Sequence, residues 1–399
     1  MEIIYYKDEA PRNITKSIFL AGGSLRPNQK GESWRKDAIQ ILDDKGFDGV
    51  IFCPENRDGN FNESLDYEKT VEWEEKFLNM ADCILFWVPR DLSLDENGNL
   101  RMGCLTTNIE FGAWANSGKI VFGAPPDAPK NNYLKYYAKK YNVPMGETLT
   151  ETLDDAMDYL GKGAKRSGGE RYVPLFIWKL DSFQSWYKAQ TEAGNRLDGA
   201  RLLYTFRPGF KSFVFLWLLK ADMYITSEDR HKTNEFVLSR PDISSILLWR
   251  RNNDVLEESE VVIVKEFRTP ASTDDGFIRE LVGGSSKKND HPEEIAAEEI
   301  LEETGFAVKT ERLKHHQSRQ LCGTLSAHKS HFYSVELTKE EIEWFKSQKG
   351  IVHGVAEDSE RTFIEVYSIK EILADNNFDW TTLGEIFVAW NSVNGSQEE

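Results

Sequence analysis

"SIFLAGGSLRPNQKGESWRKDAIQILDDKGFDGVIFCP", residues 17–54, contains a strand, a glycine turn, a helix and a second strand in one run. "SIFLAGG" reads as the first strand and its turn, "WRKDAIQILDDKG" as the helix, and "DGVIFCP" as the next strand. The same alternation continues. "YEKTVEWEEKFLNMA" is a helix, "DCILFWVP" a strand, "TTNIEFGAWANSG" a helix and "KIVFGAP" a strand. Strand and helix alternating at this spacing predict a doubly wound α/β domain, with a parallel sheet covered on both faces. Such sheets bind ligands at the carboxyl ends of their strands, here the segments after Leu20, Cys53, Val88 and Val121.

Outward from that unit, "ETLDDAMDYL" is helix-like and is followed by "GKGAKRSGG", residues 161–169, whose glycine and basic residues mark a linker. Beyond it the pattern turns strand-rich. "VPLFIWKL", "FVFLWLL", "ISSILLWRR" and "EVVIVKEF" precede an acidic helix, and "HFYSVEL" and "RTFIEVYS" follow it. That order predicts an α+β unit. The expected division is residues 1–164 and residues 165–399, the second carrying an amino-terminal extension over about 170–210.

The totals agree with two domains. The chain has 399 residues, 40% hydrophobic and 29% charged, the balance of a globular protein. Its net charge of -17 argues against nucleic acid as a partner, because duplex binding draws on Lys and Arg. No stretch has the length or apolarity of a signal peptide or membrane helix, so a cytoplasmic protein with no membrane partner is expected. Cys53, Cys83, Cys104 and Cys322 are scattered without CxxC spacing, which points to neither a zinc site nor a disulfide scaffold.

The acidic helix, "EEILEETGF" at 298–306, crowds four glutamates into six positions. Helical spacing gathers Glu298, Glu299, Glu302 and Glu303 into one arc and sets Ala296, Ala297, Ile300 and Leu301 opposite. Either solvent compensates the repulsion or a hard divalent cation does. The context "VVIVKEFRTPASTDDGFIRELVGGSSKKNDHPEEIAAEEILEETGF" resembles the Nudix hydrolases, and a Nudix fold is expected for the carboxy-terminal domain. The resemblance implies that Glu299, Glu302 and Glu303, with the Gly283 carbonyl, hold Mg²⁺ or Mn²⁺, Glu302 and Glu303 being catalytic. It implies a nucleoside diphosphate derivative such as ADP-ribose as substrate, faced by Arg268 and Glu280. A further catalytic glutamate would be Glu357, Glu360 or Glu365. Two positions depart from the family pattern: Asp290 replaces a glutamate, and Glu298 replaces an arginine that pairs with a signature glutamate. These departures leave two readings, an active hydrolase and a nucleotide sensor that regulates the other half.

"SIFLAGGSLRP", "FCPENRDG", "VEWEEKFLNMADCILFWVPRD", "TTNIEFGAWANSGK" and "GAPPDAPKNNYLKYY" occur in that order over residues 17–137. Together they resemble the nucleoside 2-deoxyribosyltransferase-like family. The resemblance implies N-glycosidic bond cleavage or base exchange on a nucleoside or nucleotide, without a cofactor in that domain. Glu110 is then the nucleophile, and Asp82 helps bind the sugar or base and moves the proton. Gly22 and Gly23 allow backbone N–H groups to approach a sugar or phosphate. Arg26 and Arg57 are candidates for a 5′-phosphate. Trp73 and Glu74 are further substrate-binding candidates, and Asn108 a group that orients Glu110. Cys104 stands where many members carry an aspartate, which leaves hydrolysis as open as transfer. The resemblance also implies a homo-oligomer. The aromatic segment 176–190, "FIWKLDSFQSWYKAQ", is read as core or as an interface.

Overall fold

The alternation of the amino-terminal half becomes a six-stranded sheet in the computed structural model, which describes residues 1–24, 32–57, 67–207, 213–253, 255–285, 291–355 and 360–394. Arg26, Asp290 and Glu357 lie outside the described residues. The chain divides into two units, Met1–Leu238 and Ser239–Glu399.

The first unit opens with β1 (Glu2–Tyr5), β2 (Asn13–Ile14), β3 (Ser17–Gly22), α1 (Trp34–Asp44), β4 (Val50–Cys53), α2 (Tyr67–Met80) and β5 (Cys83–Trp87). A short hairpin follows, β6 (Asp91–Leu94) and β7 (Leu100–Met102), and then α3 (Leu105–Trp114), β8 (Ile120–Gly123), α4 (Asn132–Lys140), β9 (Met145–Gly146) and α5 (Leu149–Leu160). The sheet order is β1-β4-β3-β5-β8-β9, and every neighbouring pair is parallel. Side chains alternate across a strand. Phe19 and Ala21 of β3 therefore join one apolar cluster with Phe77 of α2 and Phe111 of α3, while Ile18 and Leu20 join another with Ala38 and Leu42 of α1 and Leu153 of α5. Burial on both faces is why these strands read as unbroken apolar runs.

The first unit continues through β10 (Arg166–Ser167), α6 (Leu175–Trp178), α7 (Asp181–Glu192), β11 (Arg196–Phe206), β12 (Leu216–Ile225) and β13 (Arg230–Ser239). The last three form a sheet in the order β11-β12-β13. The expected division at 164/165 lies inside this unit. One reason is visible at Arg166, fully buried and paired with Asp82. "VPLFIWKL", expected as a strand, instead forms the single turn α6 after Pro174. A short apolar run buried on all sides carries no periodicity to separate strand from helix. The aromatic segment 176–190 spans α6 and α7, and its Ile177 and Phe183 are core residues packed with Trp217 of β12.

The second unit contains β14 (Ile243–Arg250), β15 (Glu260–Phe267), β16 (Phe277–Glu280), β17 (Val282–Gly284), α8 (Pro292–Thr304), β18 (Lys314–Gln320), β19 (Lys329–Glu336), α9 (Lys339–Ser347), β20 (Val352–His353), β21 (Thr362–Ser368), α10 (Ile369–Ala374) and α11 (Trp380–Asn394). Its sheet runs β18-β19-β14-β15-β21-β20, with β16 on β15 and β17 on β14. It is mixed, since β14 and β19 are parallel whereas β15 and β21 are antiparallel. Among the described residues, no helix is long and apolar enough to cross a membrane.

Candidate functional site

At the carboxyl ends of the first unit's strands, the chain turns on two glycines that cannot be replaced without displacement. Gly22 has φ +147°, and a Cβ there would stand 2.1 Å from the Trp87 carbonyl oxygen. A Cβ on Gly23 would stand 2.6 Å from Cys104 Sγ. Arg35, on the first turn of α1, ties this turn down. Its Nε donates to the Leu20 carbonyl at 2.9 Å, Nη2 to the Gly22 carbonyl at 3.1 Å, and Nη1 to Ser24 Oγ at 3.0 Å and Glu55 Oε1 at 2.7 Å. Ser33, which caps α1, also donates to Glu55 Oε1, at 2.8 Å. Arg35 is 1% exposed, so its charge acts on its surroundings with little screening by water.

The turn borders a cavity of about 1100 Å³ between α2 and α3. Glu74 of α2 and Glu110 of α3 both line it, as do Arg35, Gly22, Gly23 and Cys104. Burial pushes the Glu74 carboxyl up to about 7, the nearby charge of Glu110 raises it further within that value, and Arg35 pulls the other way. Burial also raises Glu110, again against Arg35. Two carboxyls with unequal proton affinity in one cavity can divide the work of a nucleophile and an acid. Cys104, the residue before α3, has φ +52°, and burial raises its thiol.

In the second unit, β17 lies against α8. The Gly283 N–H donates to Glu303 Oε2 at 3.0 Å, and a Cβ on Gly284 would stand 2.3 Å from Glu299 Oε1. Glu303 is buried with Ala296 and Ile300, whereas Leu301 is 51% exposed. The division expected for this helix is thus only partly formed: the Gly283 N–H compensates one carboxyl on the buried face. Burial raises Glu303 well above the usual range and lifts Glu299 to about 7, helped by the charges of Glu302 and Glu360. Glu280 is also lifted by burial to about 7. Arg268 reaches Glu266 at 2.8 Å and Glu280 at 3.5 Å. Among the described residues, no three His, Cys, Asp or Glu side chains are already gathered as a metal site. Glu299 and Glu303 nevertheless offer a hard cation oxygen donors that are desolvated and mutually repelling.

Residues 15–128 match the family described as nucleoside 2-deoxyribosyltransferase like. The first unit therefore carries a nucleoside 2-deoxyribosyltransferase-like domain, which supports a role in nucleotide metabolism. No curated protein matches the chain. A solved ADP compounds hydrolase is similar at a TM-score of 0.36 and 11% identity, over 51% of this chain and 95% of that one. That likeness is slight.

Within the deoxyribosyltransferase-like domain, the cavity gathers Glu110, Glu74, Gly22 and Gly23, but not Asp82, Arg57, Trp73 or Asn108. Asp82 stands at the amino end of β5, away from it. Arg166 donates to both its oxygens at 2.7 and 2.6 Å, the Leu175 N–H donates at 2.9 Å and Ser17 Oγ at 3.1 Å. With no exposed surface and its acceptor positions occupied, Asp82 cannot meet a substrate proton. Arg57 pairs with Asp8 at 2.8 Å and lies over Tyr5. Trp73 packs against Phe77 with ring centroids 4.5 Å apart. Asn108 accepts from Arg90 at 2.5 Å. None of these three lines the cavity.

Two contributors were missed. Arg35 precedes Ala38 by three residues and so shares the buried stripe of α1, a spacing that could have singled it out. Strand β11, whose residues 201–205 line the cavity, carried no comparable signal.

Of the second unit's candidates, Glu280, Glu299, Glu303 and Gly283 come together. Glu302 and Glu298 are exposed. Glu365 is engaged by Arg279 at 3.4 Å and by the Tyr367 hydroxyl at 2.7 Å.

Proposed function

We propose that the first unit breaks or exchanges the N-glycosidic bond of a nucleoside or nucleotide, using Glu110 as nucleophile and Glu74 as proton donor. The observation that carries this reading is the pair of carboxyls, from two helices, in one cavity at the carboxyl ends of the sheet. The ionised Glu110 carboxylate attacks the anomeric carbon as the bond to the base breaks with its electron pair. The protonated Glu74 gives its proton to the departing base. Water then displaces the Glu110 carboxylate to release the sugar, or a second base does so to complete exchange, the incoming group giving its proton to the Glu74 carboxylate. Arg35 keeps Glu110 from binding its proton too tightly and fixes the glycine turn beneath the substrate.

The second unit, on this reading, hydrolyses a nucleoside diphosphate derivative of the ADP-ribose kind. Glu299 and Glu303, with Glu302 and the Gly283 carbonyl, would hold Mg²⁺ or Mn²⁺. When bound, such an ion polarises the diphosphate and activates water. Arg268 stands where it can balance phosphate charge, and Glu280 beside it can hold a proton near neutral pH. The exposed Glu298 favours a second reading, because no arginine at that position offsets the charge of Glu299. The unit would then bind the nucleotide without hydrolysing it and regulate the first.

Chromatography of products from a panel of nucleosides, nucleotides, NAD and ADP-ribose, with and without Mg²⁺, tests both halves. Free base from the first unit and Mg²⁺-dependent monophosphate from the second are expected. Nucleotide-induced thermal stabilisation without monophosphate would select the sensor reading for the second unit. A product set with no free base would defeat the glycosidic reading.

A further inference from the structure

The cavity extends well beyond the two carboxyls that the reaction requires. Helix α2 lines it from Thr70 to Asn79 and α3 from Leu105 to Trp114. At about 1.5 Å per residue, each stretch is roughly 14 Å long. Glu74 and Glu110 stand near the middle of these stretches, so space continues on both sides of the bond to be broken. The volume of about 1100 Å³ exceeds the roughly 300–1,000 Å³ usual for a drug-sized ligand. A single nucleoside leaves much of it to water.

The surplus has a chemical character. Arg101 of β7 and Arg201 of β11 line it from two different walls. Beside Arg201, Leu203 is 41% exposed and Tyr204 48% exposed, large apolar surfaces left open among the described residues. The register of β11 against β12 slips between Leu202 and Tyr204. Such an irregularity breaks the strict alternation of a strand, which is how successive residues 201–205 come to line one cavity. Cationic side chains followed by a flat aromatic surface suit phosphate followed by a ring. Strand β11 lies outside residues 15–128, so this wall belongs to the present chain rather than to the matched domain.

We infer that the first unit acts on a nucleoside whose sugar is joined through a diphosphate to a second sugar or nucleoside. Arg101 and Arg201 hold the diphosphate, and Leu203 and Tyr204 receive the group beyond it. The inference rests on the glycosidic reading of Glu110 and Glu74, and adds the substrate class.

The test uses the full-length protein and two series that each share one leaving base: nicotinamide riboside, its 5′-monophosphate and NAD; and adenosine, AMP and ADP-ribose. Initial rates of base release give kcat/KM for each. In at least one series the diphosphate member is expected to exceed the monophosphate by roughly tenfold or more, the order supplied by one charge-assisted contact. Arg201→Gln and Arg101→Gln, checked for unchanged melting, should lower the diphosphate member's kcat/KM roughly tenfold more than the nucleoside's. Tyr204→Ala separates the two sources of the class. It raises KM for NAD more than for ADP-ribose if the second group is a stacked base, and equally if it is a sugar. Nucleosides or monophosphates used as well as the diphosphates, or equal losses across a series, overturn the inference and leave the glycosidic reading standing. No Glu110-dependent base release from any of the six compounds overturns both.

Discussion

Glu74 and Glu110 reach one cavity from neighbouring helices, and the charge of Glu110 adds to the burial that lifts the Glu74 carboxyl to about 7. The pair is therefore suited to share a single proton near neutral pH, with Glu74 holding it and Glu110 ionised first.

A bell-shaped pH dependence follows. Activity needs Glu110 ionised, so it rises as pH passes a value above the ordinary glutamate range. It also needs Glu74 protonated, so it falls as pH rises through about 7. Glu74→Gln is expected to remove the falling limb and to lower kcat by roughly 10²–10⁴-fold. A falling limb that persists in this variant would assign the acid elsewhere. Folding stability carries the same sign for Glu74. Because its folded pKa is raised, its contribution is present below the unfolded pKa and is lost as pH rises through about 7. Glu74→Gln should accordingly flatten the decline of melting temperature over that interval.

Arg35 lowers the proton affinity of both carboxyls while fastening the carbonyls of Leu20 and Gly22. Arg35→Lys keeps a charge but loses the fork of contacts. It should reduce kcat with little movement of the rising limb, whereas Arg35→Met should move that limb to higher pH. Identical pH profiles for wild type and Arg35→Met would leave Arg35 a purely mechanical role.

Asp82 and Arg166 form a fully buried ion pair, and removing one partner leaves the other charge without compensation. Asp82→Asn is expected to destabilise the first unit by about 3–5 kcal/mol, read by denaturant unfolding. At a temperature where the variant remains folded, base release per folded molecule should stay close to wild type. A selective loss of kcat without loss of stability would instead restore Asp82 to the chemistry.

Glu299 and Glu303 repel each other in a desolvated setting. Mg²⁺ or Mn²⁺ should therefore stabilise the second unit by about 2.7 kcal/mol at one hundred times the dissociation constant, read as a rise in its melting temperature. The rise should disappear in Glu299→Gln and Glu303→Gln. A cation effect of equal size in both variants would place the ion elsewhere.

Much of the first unit was legible because its physics is local. Strands buried on both faces leave continuous apolar runs such as "SIFLAGG", and the glycines at the end of β3 announced the turn that borders the cavity. Glu110 was legible through its motif. Asp82 was misjudged because its place at the head of a strand looks the same in sequence whether the side chain meets a ligand or Arg166, which is 84 residues away. The wall formed by β11 was hidden for the same reason: a strand's place on a cavity wall depends on tertiary placement, and Leu203 and Tyr204 carry no spacing that distinguishes a cavity lining from core. In α8, four like charges were conspicuous, but the burial of Glu303 depended on an N–H from Gly283, supplied by another element.

The most direct test compares the rate of free-base release by the wild-type protein with that of Glu110→Ala, on the best substrate of the panel and under conditions where both melt alike. Base release by wild type should fall by roughly 10³-fold or more when the carboxylate is removed. Release that continues at a comparable rate in Glu110→Ala would contradict it, since the cavity would then break the glycosidic bond without the residue around which the mechanism is built.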